Sequence, residues 1–305
     1  MLKIINDADL SDYSTYRISG KAEYLAIVNN QDDLIEALNF AKGKGLKVKV
    51  IGAGSNILFP DDTLRGLVIV NKSTKIVETS QRTLRVESGV ALSRLVSFTA
   101  SKGLSGLEFL AGIPGTVGGA VYGNAGAYGK GIGDFIEKII VFTVSGSVSE
   151  VSQKGAFFNY RDSIFKKEPT IILAVEIKLE PADSKLIVQN IKKILKEREG
   201  KHPKELSCGS YFKNIEASGL PDNSVQKISS WIKYDKVPAA KLIDEAGCKG
   251  LTFGGAQVSP VHANFIVNNG RATSAEIKSL AEIIKEKVRL KFGIILEEEV
   301  QVLSN

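Results

Sequence analysis

Apolar side chains that recur every three or four residues predict amphipathic helices along this chain. The clearest pattern spans residues 273–292, and its apolar stripe consists of Ile277, Leu280, Ile284 and Val288. Thr273 and Glu276 form a capping-box pattern at its start, in which each side chain satisfies a backbone N–H group of the first turn. The same reasoning predicts further helices over residues 31–44, 92–102, 185–198 and 238–246.

Short runs of β-branched and other apolar residues lie between these helices and predict strands. The predicted strands cover residues 48–51, 66–70, 83–86, 138–144, 171–179, 263–267 and 294–303. Helices and strands mixed in this way favour the α+β class. Because 305 residues exceed the usual size of one domain, we expect two or three subdomains, with a boundary in the charged stretch 197–205.

Composition excludes several classes of protein. With 43% hydrophobic and 24% charged residues the chain falls in the ordinary range for a folded globular protein. No apolar run approaches the length of a membrane span and no signal-peptide pattern opens the chain, so we expect a cytoplasmic protein. The net charge of +6 favours anionic partners such as nucleotides. Nucleic acid is the weaker option, since no Lys/Arg tract is interleaved with aromatic residues.

The cysteines and histidines give no sign of a metal centre. Cys208 and Cys248 are too far apart in sequence for a CxxC motif, and no His/Cys/Asp cluster has ligand spacing. We therefore expect inert thiols and no metal. Cys208 is close in sequence to a candidate catalytic residue, so its role stays open at this point.

Two glycine-rich segments are the strongest local signals for ligand binding. Residues 52–56 read GAGSN directly after a predicted strand, and residues 112–129 contain seven glycines. Glycines let backbone amides approach an anion closely, so the two segments together could hold a diphosphate. Either segment alone would be as well explained by tight turns. A Rossmann fingerprint is excluded because Ile57 follows the first segment and no long helix comes after it.

Six strings in a fixed order carry a resemblance to a known family: IGAGSNILF, LAGIPGTVGGAVYGNAGAYG, FNYRDSIF, CGSYFKN, LIDEAGCKGLTFGGAQVSPVHANFIVN and LEEEV. In this order they resemble UDP-N-acetylenolpyruvoylglucosamine reductase, from about residue 13 to residue 300. The resemblance implies a fold of the vanillyl-alcohol oxidase type, with two α+β FAD-binding subdomains and a C-terminal α+β substrate-binding domain. The implied ranges are 1–72 with a C-terminal strand 300–305, then 73–198, then 199–299.

The resemblance also implies a cofactor, FAD, with NADPH as reductant. His202 and His262 are the two histidines of the chain, and both follow the FAD-binding region, so we expect noncovalent FAD. The implied FAD-binding residues are Gly52, Ala53, Gly54, Ser55, Asn56, Ile57, Gly112, Pro114, Gly115, Thr116, Gly118, Gly119, Asn124, Gly126, Ala127 and Tyr128.

Three residues match the catalytic positions of the family. Arg161 would stabilise the negative charge that develops beside the substrate carboxylate, because its planar guanidinium can donate two hydrogen bonds. Ser210 would then protonate the carbanion. Outside their motifs, an arginine in a surface ion pair and a serine in a turn would be the ordinary interpretations.

Glu299 matches the catalytic glutamate of the family. Protonated in a dry pocket, it would donate a hydrogen bond to the substrate carboxylate, which requires a raised pKa. Three successive glutamates more often mark a solvated edge, and strand alternation would place Glu297 and Glu299 on one face, with Glu298 on the other.

The implied substrate-binding residues are Tyr160, Lys213, Asn214 and His262. For His262 a structural, hydrogen-bonded histidine is an equal alternative, and for Lys201 and Lys204 a solvated charged face is the default. Two positions depart from the family pattern: Ser19 stands for a usual glycine and Glu298 for a usual proline. The direct passage from YRDSIF into a predicted strand resembles the second type of the family, which lacks an extra tyrosine-bearing loop.

The function implied by the resemblance is reduction of UDP-N-acetylglucosamine enolpyruvate to UDP-N-acetylmuramate, a precursor of peptidoglycan. We expect two half-reactions that share one pocket, and a monomeric enzyme. Alternatives are another flavin dehydrogenase or oxidase of the same fold, and a non-catalytic module that binds a nucleotide sugar. The first would favour a histidine linked to flavin, and the second would not need Arg161, Ser210 and Glu299 together.

Overall fold

The computed structural model describes residues 2–18, 20–220 and 228–305, so Ser19 lies outside the described residues. The chain divides into two compact units. The first unit consists of Met1–Ala8, Ala22–Ala53 and Arg65–Glu199. The second consists of Asp9–Lys21, Gly54–Leu64 and Gly200–Asn305. The predicted separation of residues 1–72 from residues 73–198 into two FAD-binding subdomains remains a prediction.

The α-helices of the described residues are α1 (Gln31–Gly43), α2 (Leu92–Ser101), α3 (Val117–Tyr122), α4 (Ser184–Arg198), α5 (Ala239–Glu245) and α6 (Ser274–Phe292). All five predicted helices are present within one or two residues of their predicted ends. The capping box of α6 is also confirmed, since Thr273 and Glu276 each accept a hydrogen bond from the other's backbone N–H. Gly293, with a φ of 70°, ends this helix. None of the helices in the described ranges is long and apolar enough to cross a bilayer.

The strands are β1 (Ile4–Asp9), β2 (Lys21–Val28), β3 (Val48–Ile51), β4 (Ile57–Leu58), β5 (Leu64–Asn71), β6 (Ile76–Ser80), β7 (Thr83–Glu87), β8 (Leu104–Ser105), β9 (Gly126–Ala127), β10 (Lys130–Gly131), β11 (Ile136–Phe142), β12 (Val148–Ser152), β13 (Ile171–Lys178), β14 (Glu180–Pro181), β15 (Ile215–Glu216), β16 (Lys236–Val237), β17 (Thr252–Phe253), β18 (Ala256–Val258), β19 (Ile266–Asn268) and β20 (Gln301–Val302). Only residues 167–170 separate the short 3-10 turn Ile164–Lys166 from β13, which leaves no room there for an inserted loop.

The first unit contains two larger sheets. One has the strand order β1-β2-β5-β3, and the other has the order β12-β11-β13-β7-β6. Helix α1 buries Leu34, Ala37 and Ala41 against residues of both sheets. The spacing of these side chains places them on one face of the helix, where they are buried together. Burial of a leucine side chain stabilises the fold by roughly 2 kcal/mol.

The second unit is built around α6. Its apolar stripe is fully buried against a core that includes the antiparallel sheet β17-β18-β19. In the same unit β20 pairs in parallel with β4, in the register Gln301 to Ile57. The C-terminal segment is thereby fixed beside the end of the first glycine-rich segment.

Two predicted strands are wrong in extent. The predicted strand 294–303 is regular only at Gln301–Val302, and Glu298 makes an isolated bridge with Phe212. The predicted strand 263–267 begins only at Ile266, because Phe265 donates a backbone hydrogen bond to His262 and closes a turn. Local apolar patterns do not reveal such turns, since each turn depends on the backbone conformation of one or two residues.

Candidate active site

The second glycine-rich segment contains helix α3, which its sequence did not predict. Thr116 begins the helix, and its side chain accepts a hydrogen bond from the N–H of Gly119. The N–H of Gly118 donates to the carbonyl of Ser88 at 2.7 Å, and an added Cβ at Gly118 would lie 2.8 Å from the Ser88 side chain. Gly118 is therefore explained by close backbone packing, the ordinary alternative for a glycine.

The two glycine-rich segments meet within the first unit. A Cβ added at Gly52 would overlap the side chain of Thr116, so only glycine permits this approach. Within the described part of the chain, the backbone N–H groups of Ala53 and Gly54 donate no hydrogen bond. Free N–H groups in a glycine loop suit an anion such as a diphosphate. The residues present therefore fit the phosphate part of FAD.

Residues 54–57 pack against residues 13–15, another part of the second unit, and form hydrogen bonds with them. Gly54 has a φ of 63°, and an added Cβ would overlap the carbonyl oxygen of Tyr13. Thr15 donates its N–H to the carbonyl of Gly54 at 3.2 Å, and Ser14 donates its hydroxyl to the carbonyl of Ile57 at 3.1 Å. These bonds occupy the carbonyl groups of Gly54 and Ile57 and so fix the backbone of the segment.

Arg161 lies in a tight turn of the first unit. Its φ of 52° is left-handed, a conformation that a residue other than glycine keeps only where its neighbours enforce it. Asn159 and Asp162 close the turn by exchanging backbone hydrogen bonds of 3.1 and 3.2 Å. Lys166 donates from Nζ to the carbonyl oxygen of Arg161 at 2.6 Å. The strained backbone is therefore held on both sides of the arginine.

The side chain of Arg161 connects this turn to the second glycine-rich segment. Its Nη1 donates to the carbonyl of Gly126 at 3.0 Å, and its Cζ lies 5.5 Å from the ring centroid of Tyr160. Asn124 donates from Nδ2 to the carbonyl of Asn159 at 2.9 Å. The fold thus brings together residues that were predicted for catalysis, substrate binding and FAD binding, namely Arg161, Tyr160, Asn124 and Gly126.

Tyr128, at the end of the same segment, contacts helix α4. Its hydroxyl donates to Glu197 at 3.1 Å, and its left-handed φ of 56° is again unusual. Burial and this hydrogen bond raise the pKa of Tyr128, so the phenol is neutral at physiological pH. The residue is 45% exposed, so it remains partly accessible to a ligand.

Ser210 and Glu299 lie on neighbouring segments of the second unit. Tyr211, which follows Ser210, accepts the backbone N–H of Glu299 at 2.8 Å. The Ser210 hydroxyl has no hydrogen-bond partner among the described residues, although the residue is half-buried. The carbonyl of Glu299 accepts from Nδ2 of Asn56 at 3.0 Å. A half-buried hydroxyl with no partner among the described residues is suited to act on a ligand.

The three glutamates of LEEEV have different neighbours. Glu297 pairs with Lys213 at 3.1 Å, and Glu298 pairs with Lys285 of α6 at 2.8 Å. The side chain of Glu297 is 72% exposed and that of Glu298 is 33% exposed. The proline that is usual at position 298 could not form the second pair, so this departure adds an ion pair and leaves Glu299 in place.

Lys213 and Asn214 are partly engaged within the protein. Besides the pair with Glu297, the backbone N–H of Lys213 donates to the carbonyl of Glu297 at 2.8 Å. The Oδ1 of Asn214 accepts the N–H of Ala239 at 3.1 Å and so caps helix α5. Their proposed contacts with substrate stay predictions.

His262 is mostly buried beside a second histidine. The ring centroids of His202 and His262 are 6.2 Å apart, and both rings contact Phe265. Burial first, then His202 and Lys249, lower the pKa of His262, and its Nδ1 accepts the N–H of Asn264 at 3.3 Å. A neutral, structural imidazole accounts for these contacts. Lys201 and Lys204 are exposed, as expected of a solvated face.

Cys208 is a buried, neutral thiol. It is 2% exposed, and burial raises its pKa to about 12. The hydroxyl of Tyr16 lies against it, within the core of the second unit. This thiol is therefore no nucleophile at neutral pH. Within the described residues no three His, Cys, Asp or Glu side chains are grouped as metal ligands.

Two family models match this chain. The FAD binding domain matches residues 22–152, and the C-terminal domain of UDP-N-acetylenolpyruvoylglucosamine reductase matches residues 202–303. The UDP-N-acetylenolpyruvoylglucosamine reductase of Chlamydia felis is 39% identical over 96% of this chain and 92% of its own length. This chain belongs to the UDP-N-acetylenolpyruvoylglucosamine reductase family.

Other members of the reductase family agree over nearly the full length. The protein of Carboxydothermus hydrogenoformans is 37% identical over 99% of this chain and 94% of its own. The crystal structure of the reductase (MurB) from Thermus caldophilus superposes with a TM-score of 0.77 at 30% identity, covering 100% of this chain and 99% of that one. The predicted family, the predicted FAD-binding fold with a C-terminal α+β domain, and the predicted cofactor FAD are confirmed.

Sequence reasoning missed the residues that hold the candidate catalytic side chains in place. Lys166 follows the YRDSIF string directly, and Asn264 stands inside VHANFIV. Although both strings are motifs, no local signal shows whether a lysine or an asparagine in or beside them supports a catalytic residue or binds a ligand. Only the three-dimensional contacts make the difference visible.

Proposed function

We propose that this chain catalyses the FAD-dependent reduction of UDP-N-acetylglucosamine enolpyruvate to UDP-N-acetylmuramate, with NADPH as the source of hydride. The observation that carries the proposal is the arrangement in the second unit. There, in a member of this reductase family, the hydroxyl of Ser210 has no hydrogen-bond partner among the described residues and lies on the segment next to Glu299. A module that only binds a nucleotide sugar would not require these two residues on paired segments.

Arg161 is assigned to stabilising charge on the substrate. Hydride addition to the terminal carbon of an enolpyruvyl group leaves negative charge on the carbon beside the carboxylate. A guanidinium placed where this charge develops lowers the barrier, because it is oriented before the reaction begins. The left-handed turn and the hydrogen bond to Gly126 provide that orientation. When bound, FAD supplies hydride transfer, from NADPH and then to the substrate.

Ser210 is assigned to delivering the proton that completes the reaction. Its Oγ–H protonates the carbon beside the carboxylate, and the alkoxide that is left must regain a proton from solvent. Serine is a weak acid in water, but the acceptor carbon is strongly basic, so the transfer runs downhill. Glu299, in its protonated form, donates a hydrogen bond to the substrate carboxylate and so favours the same charge build-up.

The remaining assigned residues bind the cofactor and the substrate. Ala53 and Gly54 direct free N–H groups at the FAD diphosphate, while Tyr160, Lys213 and Asn214 contact the UDP-sugar. A cytoplasmic location, a monomeric state and noncovalent flavin belong to the same proposal. Gel filtration and release of flavin from the denatured protein test the last two.

The decisive experiment combines flavin content with substrate-dependent turnover. Protein reconstituted with FAD should be yellow and should oxidise NADPH rapidly only when UDP-N-acetylglucosamine enolpyruvate is added, with one NADPH consumed per molecule reduced. UDP-N-acetylglucosamine, which lacks the enolpyruvyl group, is the control and should leave the slow background rate. A yellow protein whose NADPH oxidation does not respond to the enolpyruvyl compound would refute the reductase and favour a different flavin enzyme or a binding module.

A further inference from the structure

Asn264 is a buried side chain that pairs with the segment carrying Ser210. It is 3% exposed. Its Oδ1 accepts the N–H of Phe212 at 3.0 Å, and its Nδ2 donates to the carbonyl of Phe212 at 2.8 Å. Its own carbonyl accepts the N–H of Tyr211 at 2.8 Å. Asn264 therefore satisfies three of the four backbone polar groups of Tyr211 and Phe212, the two residues that follow Ser210.

The side-chain amide takes the place of a missing strand. The chain turns at His262–Phe265, so its backbone cannot continue the ladder of β19 past Ile266. An asparagine amide presents a donor and an acceptor in the same plane, as a peptide group does. Asn264 thus provides, with its side chain, the two hydrogen bonds that a continuous strand would have made to Phe212.

The opposite edge of the same segment pairs with the segment of Glu299. The carbonyl of Tyr211 accepts the N–H of Glu299, and the N–H of Lys213 donates to the carbonyl of Glu297, both at 2.8 Å. Residues 211–213 are thereby held between Asn264 on one side and residues 297–299 on the other. A shift of Phe212 would move both Ser210 and Glu299, because each is at most two residues from a bond in this set.

We propose that Asn264 is a positioning residue that sets the relative placement of the Ser210 hydroxyl and the Glu299 carboxyl for proton delivery to the substrate. This role rests on the proposed function. A buried amide that loses one of two partners leaves a polar backbone group unsatisfied, so the segment must move to find a new partner. A displacement near 1 Å at a reacting group slows chemistry by roughly 100-fold.

Asn268 offers a matched control in the same unit. It is 5% exposed, its Nδ2 donates to the carbonyl of Tyr16 at 2.9 Å, and its Oδ1 accepts from Gly270 and Ala272. Replacement by aspartate at either position keeps an acceptor and removes one donated hydrogen bond to a backbone carbonyl. The two variants therefore lose the same kind of contact, but only the side chain of Asn264 bonds to the residues that follow Ser210. Asn268 reaches Leu206, four residues before Ser210, through its backbone N–H, which the substitution leaves in place.

The test compares Asn264→Asp and Asn268→Asp in the FAD-reconstituted full chain. Rapid mixing without oxygen measures flavin reduction by NADPH and flavin reoxidation by UDP-N-acetylglucosamine enolpyruvate as separate rates. Asn264→Asp should slow reoxidation by about 10- to 100-fold, with reduction and KM changed less than about threefold. Asn268→Asp should keep both rates near those of the unmodified protein. Amide hydrogen exchange at Glu299 should be faster in Asn264→Asp alone.

Equal losses in both half-reactions, or an equal slowing of reoxidation in Asn268→Asp, would overturn the positioning role. If Asn264→Asp does not fold, Asn264→Ala carries the test, since it removes both side-chain bonds without burying a charge. An unmodified protein whose flavin is not reoxidised by the enolpyruvyl compound would refute the proposed function instead. The two failures are therefore distinguishable.

Discussion

The turn that carries Arg161 and the paired segments that carry Ser210 and Glu299 are built on different principles. Arg161 has a left-handed backbone, and side chains fix it: Lys166 bonds to its carbonyl and Asn124 bonds to the turn. Ser210 and Glu299 lie on extended segments whose backbone groups bond to each other. The side chains that support the turn come from two places, Lys166 and Asn124, whereas the paired segments combine backbone bonds to each other with the side chain of a single residue, Asn264.

The difference predicts how each region tolerates substitution. In the turn the candidate catalytic side chain is also a structural one, because the guanidinium bonds to Gly126. In the paired segments the Ser210 hydroxyl has no partner among the described residues, so chemistry and structure are separate there. Loss of the Ser210 side chain should therefore impair only the reaction, whereas loss of the Arg161 side chain should impair both the reaction and the local structure.

The largest expected effect comes from removing each candidate catalytic side chain. Ser210→Ala should slow flavin reoxidation by the enolpyruvyl substrate by about 10²- to 10⁴-fold, as expected for loss of a general acid, and leave reduction by NADPH nearly intact. Arg161→Ala should slow reoxidation by about 10²- to 10³-fold, as for loss of a preorganised donor. Rapid mixing measures both.

Of the two variants, only Arg161→Ala should also weaken the local structure of the protein. Without the bond to Gly126, the segment around residues 124–128 should exchange its amides faster, while Ser210→Ala should match the unmodified protein in exchange and thermal midpoint. Arg161→Lys keeps a charge but loses the planar fork, so it should restore little of the rate. A Ser210→Ala protein that slows both half-reactions equally would contradict the separation of chemistry from structure.

The sequence predicted helices and strands well where apolar residues recur at a regular spacing. It predicted them poorly where a cap or a contact of one residue determines the structure. Helix α6 has four apolar side chains on one stripe and a capping box, so its ends were predicted within one residue. Helix α3 was missed because three glycines, Gly118, Gly119 and Gly123, lie in or beside it and lower helical propensity. Its stability comes from the local Thr116 cap and from packing against Ser88, and the second of these is a tertiary feature that the sequence does not reveal.

The candidate catalytic residues were found through motifs, and their supports were not. Each of Arg161, Ser210 and Glu299 stands in a string whose order along the chain carries the resemblance. Lys166 and Asn264 act through backbone atoms of other residues. Such contacts depend on the fold bringing distant backbone groups together, as between Asn264 and Phe212, and no local pattern encodes them.

A smaller effect tests whether the turn of Arg161 depends on a single side chain. Lys166→Met keeps most of the apolar stem but removes the hydrogen bond to the Arg161 carbonyl, so the left-handed residue loses a restraint. We expect flavin reoxidation to slow by about 10-fold, because orientation of the guanidinium is impaired but the group is still present. Substrate KM should rise in parallel.

The neighbouring lysine is the control for this experiment. Lys167 pairs with Asp162 at 2.9 Å with a side chain that is 67% exposed, and an exposed pair of this kind contributes little. Lys167→Met should therefore leave reoxidation near the rate of the unmodified protein. If both variants behave alike, loss of surface charge rather than support of Arg161 explains the result.

The smallest expected effect is a difference in acid sensitivity between the two regions. His202 and His262 both belong to the second unit, and the pKa of His262 is lowered chiefly by burial, then by His202 and Lys249. As pH falls through the ordinary histidine range near 6.5, the unfolded chain takes up a proton that folded His262 resists. Folding therefore loses stability toward low pH, and the loss continues until the folded pKa is passed.

Hydrogen exchange between pH 7.5 and 5.5, corrected for the intrinsic pH dependence of exchange, measures this difference. Protection at Tyr211 and Phe212, which bond to Asn264 beside His262, should fall more than protection at Asn159 and Asp162 in the Arg161 turn. His262→Gln removes the titrating group and should make the two regions respond alike. If the variant keeps the full acid sensitivity of Tyr211 and Phe212, a carboxyl group rather than the buried imidazole is responsible, and the paired segments owe their pH response to a different part of the unit.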